Sequence, residues 1–217
     1  MLKKGAIKPP RGWPDPSLVL NLPFSEGYGS IARDRSLYGN HGTIYGASWV
    51  DEGLSFDGVD DYVEVPHSTS LDMTDELTLA AWIYSSVDFP ASAMVVARPP
   101  ENSWGIIFNV ALRPMFMVRN TDLFSYLLEL SFDLSLNTWY HVVGTFKRND
   151  VARLYLNGIE KESTPVSDFA LLQSNNNVLI GSEMPDSSYF SGVIDEVRIY
   201  KRALSAQEIL KVYNAGL

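Results

Sequence analysis

Apolar and polar residues alternate with a period of two along much of the chain, and short polar turn clusters interrupt the alternation. Leu77–Ser85 is the clearest case. Leu77, Leu79, Ala81 and Ile83 fall on one side, and Thr78, Ala80, Trp82 and Tyr84 on the other. Successive strand side chains point to opposite faces, so this run predicts a strand with one face on a core. Ser17–Phe24, Leu54–Phe56, Tyr62–Val65, Ala93–Arg98, Gly105–Val110, Met115–Arg119 and Ser125–Leu130 read as further strands. Trp139–Lys147, Ala152–Leu156, Ile159–Thr164, Val178–Gly181 and Gly192–Tyr200 complete the set. Turn chemistry punctuates them: Asp57-Gly58-Val59-Asp60-Asp61 separates two strands, and Asn157-Gly158 predicts a two-residue hairpin because both residues tolerate positive φ. Only the C-terminus changes period. There Ser205 and Glu208 fit a capping box, Ile209, Val212 and Tyr213 form an apolar stripe, and Gly216 stops the helix. The pattern is all-β, a sandwich or barrel with one short C-terminal helix.

Composition narrows the partners. The chain has 217 residues, 46% hydrophobic and 20% charged, an ordinary globular balance. It has no cysteine, which excludes disulfides, thiolate metal sites and a cysteine nucleophile. The formal net charge is -9, and no Lys/Arg run offers a patch for nucleic acid. The densest basic group, Lys3, Lys4, Lys8 and Arg11, lies among Pro9, Pro10, Pro14 and Pro16, so residues 1–17 read as an extended arm pinned by Trp13. Residues 18–217 read as one body without a linker. No apolar run is long enough for a transmembrane helix, so no membrane insertion is expected. The lysine-led N-terminus lacks the apolar stretch of a secretory signal.

Seven stretches stand out in order. They are LVLNLPF from Leu18, ARDRSLYGNHG from Ala32, LSFDGVDDYVEV from Leu54 and LTLAAWI from Leu77. TWYHVVGTF from Thr138, LYLNG from Leu154 and GVIDEVRIYKRALS from Gly192 continue the series. Together they resemble the laminin-G-like domains of the concanavalin-A-like lectin/glucanase superfamily. The resemblance covers nearly everything from residue 18 onward. It implies two antiparallel sheets in a jelly roll with one concave face, and an extracellular or virion-surface setting. It also implies a calcium ion that ties the first strands to the last. Calcium takes six to eight oxygens. Asp195 is the matching carboxylate, with backbone carbonyls near Leu22 and Gly53. Strict alternation puts Asp195 on the face of Val193, Val197 and Ile199, buried and in need of a counter-charge. Asp34 with Asn40 is a second candidate. Asp57, Asp60 and Asp61 are a third, more simply read as turn capping.

The catalytic templates of this fold are missing from the sequence. The glucanase pattern Glu-x-Asp-x-x-Glu would place a retaining carboxylate pair on one strand face, and no Glu here has Asp two residues on. Glu129 and Asp133 are spaced by four. Neither Gln173 nor Gln207 precedes a histidine, as a jelly-roll lyase would require, and His41, His67 and His141 are scattered. No serine sits in Gly-x-Ser-x-Gly. The chain therefore reads as a non-catalytic carbohydrate-binding or adhesion module. A glycan or polysaccharide would stack on aromatics and be read by polar side chains. The candidates are Trp82, Tyr84, Trp104, Phe116, Arg119, Tyr126, Arg153 and Tyr155, with the loops Pro99–Ser103, Asn120–Asp122 and Pro185–Tyr189 as rim. Trp82 and Trp139 also suit a core. The alternative is an assembly domain that packs on protein subunits or on its own copies, and the remoter one is a polysaccharide-active enzyme with a divergent site.

Overall fold

The computed structural model describes residues 15–89, 92–99, 103–120, 125–183 and 188–216, the side chains of Ala111 and Tyr126 excepted. Trp13 and the basic residues of the proposed arm lie outside them. The first strands are β1 (Leu18–Leu22), β2 (Ile31–Ala32), β3 (Gly42–Tyr45), β4 (Ser48–Val50), β5 (Gly53–Asp57) and β6 (Tyr62–Val65). Then come β7 (Glu76–Ser85), β8 (Ala93–Arg98), β9 (Trp104–Asn109), β10 (Arg113–Arg119) and β11 (Ser125–Glu129). The last are β12 (Thr138–Lys147), β13 (Val151–Leu156), β14 (Ile159–Pro165), β15 (Val178–Ile180) and β16 (Ser191–Tyr200), before helix α1 (Ala206–Ala215). Among the described residues, no helix is long and apolar enough to cross a membrane.

The strands form two antiparallel sheets. The first runs β14-β13-β12-β7-β16-β5-β4, with β1 also paired to β16; the second runs β11-β10-β9-β8-β15-β6-β3-β2. They make the expected jelly-roll sandwich. Its core is the inward half of each alternation, including Leu77, Leu79, Ala81 and Ile83 from β7 and Phe108 and Phe116 from the facing sheet. The Asn157-Gly158 turn joins β13 to β14 with φ of 52° and 78°, the paired positive values of a tight hairpin. The Asn157 side chain also accepts from the His141 amide at 2.9 Å, which fixes the turn to β12.

Strand β16 departs from simple alternation. It pairs with β7 through Asp195↔Trp82 and then Arg198↔Ala80, so one residue more is consumed on β16 than on its partner. The extra residue is Glu196, at φ 51°. This bulge reverses the faces: Ile194 points inward before it, Val197 and Ile199 after it. Asp195 consequently shares the outer face with Val193 and Trp82, not the inner face with Val197 and Ile199 as strict alternation predicts.

Helix α1 matches its sequence signals. Ser205 accepts from the Glu208 amide, and the Glu208 carboxylate accepts from the Ser205 amide, which completes the capping box. Gly216 is the C-cap as expected, but glycine is required there by close packing and not by a positive φ. Its φ is -97°, but a Cβ there would collide with the Trp82 indole nitrogen.

Gly144 of β12 faces the second sheet, and a Cβ there would fall inside the contact distance of the Phe116 ring. Phe116 is wholly buried and cannot move aside in a packed core. Gly144→Ala is therefore expected to lower unfolding free energy by about 2 kcal/mol or more, seen as a lower urea midpoint with little change in slope.

Candidate functional site

The outer face of the first sheet carries Trp82, Tyr84 and Tyr155 of the aromatic candidates, together with Trp139, but the helix divides it. Trp82, Tyr155 and His141 point outward, and α1 lies over them. The Tyr213 ring stacks on Trp82 at 5.4 Å between centroids, and the His141 ring is 5.2 Å from Trp82. Ile209 packs with Ala80, Val143, Tyr155 and Tyr200 in the same layer. Trp82 is left 5% exposed and Tyr155 2%. Both are helix seats, not ligand platforms. Burial and the nearby Glu160 carboxylate push the Tyr155 hydroxyl up to about 12.

Beyond the helix the same face stays half open at Tyr84 and Trp139. Their rings lie 5.6 Å apart, tilted by 44°. Tyr84 Oη donates to Asn137 Oδ1 at 3.2 Å, and Trp139 Nε1 donates to Glu52 Oε2 at 3.2 Å. Register places Tyr84 beside Trp139 on one side and Val193 on the other. The result is two apolar ring faces, with a carboxylate and an amide at their edge.

The other candidates do not join them. Trp104 and Phe116 lie in the core between the sheets, 1% and 0% exposed, so neither reaches solvent. Large aromatics suit a core as well as a binding face, and here the core takes them. Arg119, on β10 of the second sheet, bonds Ser125 at 3.1 Å. Arg153 faces outward beside Glu160, with 3.4 Å between charged atoms. Tyr126 pairs with Val118 along the edge strand, and its side chain lies outside the described residues. The rim loops lie largely outside them too.

The carboxylates separate by how fully they are engaged. Asp34 accepts four bonds: from the amides of Asn21 and Ser36 at Oδ1, and from Ser36 Oγ and the Asn40 amide at Oδ2. Asn40 donates to the Val19 carbonyl and to Ser70. With all four acceptor positions of its carboxylate taken, Asp34 is a loop hub that offers no oxygen to a cation. Asp195 is buried beside Gly53, whose absent side chain would lie 2.9 Å from the Asp195 Cβ. Its Oδ1 accepts the Glu196 amide at 2.8 Å. It meets β5 there, and β1 reaches Leu22 opposite Val197. Asp57, Asp60 and Asp61 bring one oxygen each within 4.8 Å of the others. Burial and the Asp57 and Asp60 charges raise the Asp61 carboxyl above its usual range. Asp57 nonetheless accepts from the Val59 amide, as a turn cap does.

The signature of the Concanavalin A-like lectin/glucanases superfamily, in its laminin-G form, matches residues 57–210. The chain belongs to this superfamily. The structural likeness is wider than the sequence match. The laminin-G-like chain superposes on the binding domain of Paraclostridial Mosquitocidal Protein 1 with a TM-score of 0.78 at 16% identity, over 92% of this chain and 52% of that one. The ligand binding domain of botulinum neurotoxin serotype D, solved with N-acetylneuraminic acid, gives a TM-score of 0.73 at 16% identity, with coverage of 92% and 52%. A curated relative is the human adhesion G-protein coupled receptor D1 (Homo sapiens), 34% identical over 94 residues, which are 41% of this chain and 10% of the receptor. The laminin-G-like chain thus spans about half of those solved domains and a tenth of that receptor.

Sequence reasoning identified Tyr84 but missed Glu52 and Asn137, which lie in turns remote from it along the chain. No local signal marks them. The histidines have separate partners. His41 Nδ1 accepts the Asp34 amide, His67 meets Asp72, and His141 lies among the aromatic rings under the helix.

The helix is held over the sheet by Arg202, which bonds Glu208 at 3.0 Å and Asp15 at 2.9 Å. The Arg202 contact holds the Glu208 carboxyl at about 2, against an ordinary 4.5. A carboxyl that titrates lower when folded contributes its full stability above pH 4.5 and loses it as pH falls toward about 2. Near-ultraviolet dichroism of the Trp82 and Tyr213 environment is expected to weaken across that window, and Glu208→Gln to flatten the pH profile.

Proposed function

We propose that this laminin-G-like chain is a non-catalytic recognition module that binds glycan at the extracellular side of a cell or virion surface. The observation that carries this reading is the open Tyr84–Trp139 pair with Glu52 and Asn137 at its rim. Ring faces cover the apolar face of a sugar, while a carboxylate and an amide accept and donate to its hydroxyls. Neighbours that are toxin binding domains, one of them solved with N-acetylneuraminic acid, and the adhesion-receptor relative support a binding role. The absent carboxylate-pair and lyase templates support a role without turnover. On a glycan array, Tyr84→Ala and Trp139→Ala are each expected to weaken the wild-type hits about tenfold or more with the fold intact. Retained binding in both variants would move the site elsewhere.

We further propose that a structural calcium ion sits at Asp195, with backbone oxygens near Leu22 and Gly53. A buried carboxylate where the closing strand meets β1 and β5 supports it. Chelator is expected to lower the Tm of the wild type by several degrees and to leave Asp195→Asn unshifted. An unshifted wild type would count against the ion.

A further inference from the structure

A second site lies at the β2 edge of the second sheet, in the loop that leads into β2. Glu26, Tyr28, Gly29, Ser30, Ile31, Arg33 and Arg35 line a cavity of about 290 Å³. The loop is held from both sides: Trp49 Nε1 donates to the Gly29 carbonyl at 2.7 Å, and the Ile44 amide donates to the Ser30 carbonyl at 2.8 Å. The hollow is therefore built into the fold.

Its chemistry is uneven in an informative way. The Glu26 side chain is only 8% exposed. Oε1 accepts the Arg33 amide at 3.2 Å and lies 3.9 Å from Arg35 Nη2. Oε2 is buried with no hydrogen-bond partner. A buried carboxylate oxygen left in that state is costly, and a ligand donor that drew the Glu26 side chain toward the cavity would relieve it. The Arg33 side chain is exposed and that of Arg35 is 56% exposed, so both guanidinium groups remain available to an incoming group. Two arginines against one glutamate make this cavity locally positive on a chain whose formal net charge is -9. Tyr28, 82% exposed, and Ile31 add an apolar wall.

A metal ion or ammonium at Oε2 would be repelled by both arginines. A neutral hydroxyl donates there without that cost, and an anionic group on the same ligand pairs with the guanidinium forks. We infer that this cavity binds the anionic residue of an acidic glycan: a hydroxyl donates to Glu26, a carboxylate or sulfate pairs with Arg33 and Arg35, and the ring lies against Tyr28. The inference rests on the glycan-binding reading of the chain but places a separate, charge-selective contact away from Tyr84 and Trp139. The volume admits about one sugar residue.

The test uses the whole chain on a surface carrying matched pairs: sialyllactose and lactose, oligogalacturonate and its methyl ester, a heparin hexasaccharide and its desulfated form. At least one anionic member is expected to bind about tenfold or more tighter than its neutral partner. Arg33→Ala/Arg35→Ala should erase that preference and its salt dependence, with Tm and any binding of neutral glycans unchanged. Glycan binding without charge preference, or a preference that survives the double arginine variant, overturns the inference and leaves the glycan reading standing. Absence of binding to every glycan, acidic or neutral, overturns both.

Discussion

Strand β16 satisfies three neighbours at once. Along one side it pairs with β7; along the other it pairs first with β5 and then with β1. Both halves must turn apolar side chains to the core, although the sequence places Asp195 and Glu196 between them. The bulge at Glu196 resolves the conflict, because one extra residue lets Ile194, Val197 and Ile199 all point inward. Arg198, outward after the reversal, meets Glu196 at 2.5 Å. The same strand carries the chain to Arg202, which joins Asp15 before β1 to Glu208 in the helix. First strand, last strand and helix are thus fixed by one short run of sequence.

From that attachment follows the division of the outer face. The helix leaves β16 at a place that sets Tyr213 on Trp82 and Ile209 beside Tyr155. An aromatic surface that could receive a ligand is filled by the chain's own helix, and only its Tyr84–Trp139 end stays open. The β4–β5 hairpin borders both proposed surfaces. Glu52 in its turn holds Trp139, and Trp49 on β4 holds the Gly29 loop.

The fold was legible because its signals are local. Period-two runs, the Asn157-Gly158 turn and the Ser205–Glu208 box each act within a few residues. Strands β2, β3 and β4 escaped because β2 has only two residues, and β3 and β4 place Gly42, Thr43 and Ser48 in turn-rich sequence where little apolar alternation shows. The face of Asp195 was misread because a bulge is a property of pairing with β7 and leaves no mark in the alternation. The site was less legible for a related reason. Trp104, Phe116 and Trp82 have the same chemistry in a core, under a helix or against a sugar, and only tertiary contacts decide among these. Glu26 gave no sequence signal; its unpaired oxygen emerges from the packing of the loop.

Edge strand β14 has a consequence of a colloidal kind. It carries Glu160, Lys161 and Glu162 in succession and ends at Pro165. A neighbouring molecule that tried to extend the sheet there would have to align charges of alternating sign in register and would meet a position without an amide hydrogen. Copies that met along that edge would therefore find no continuous ladder to extend.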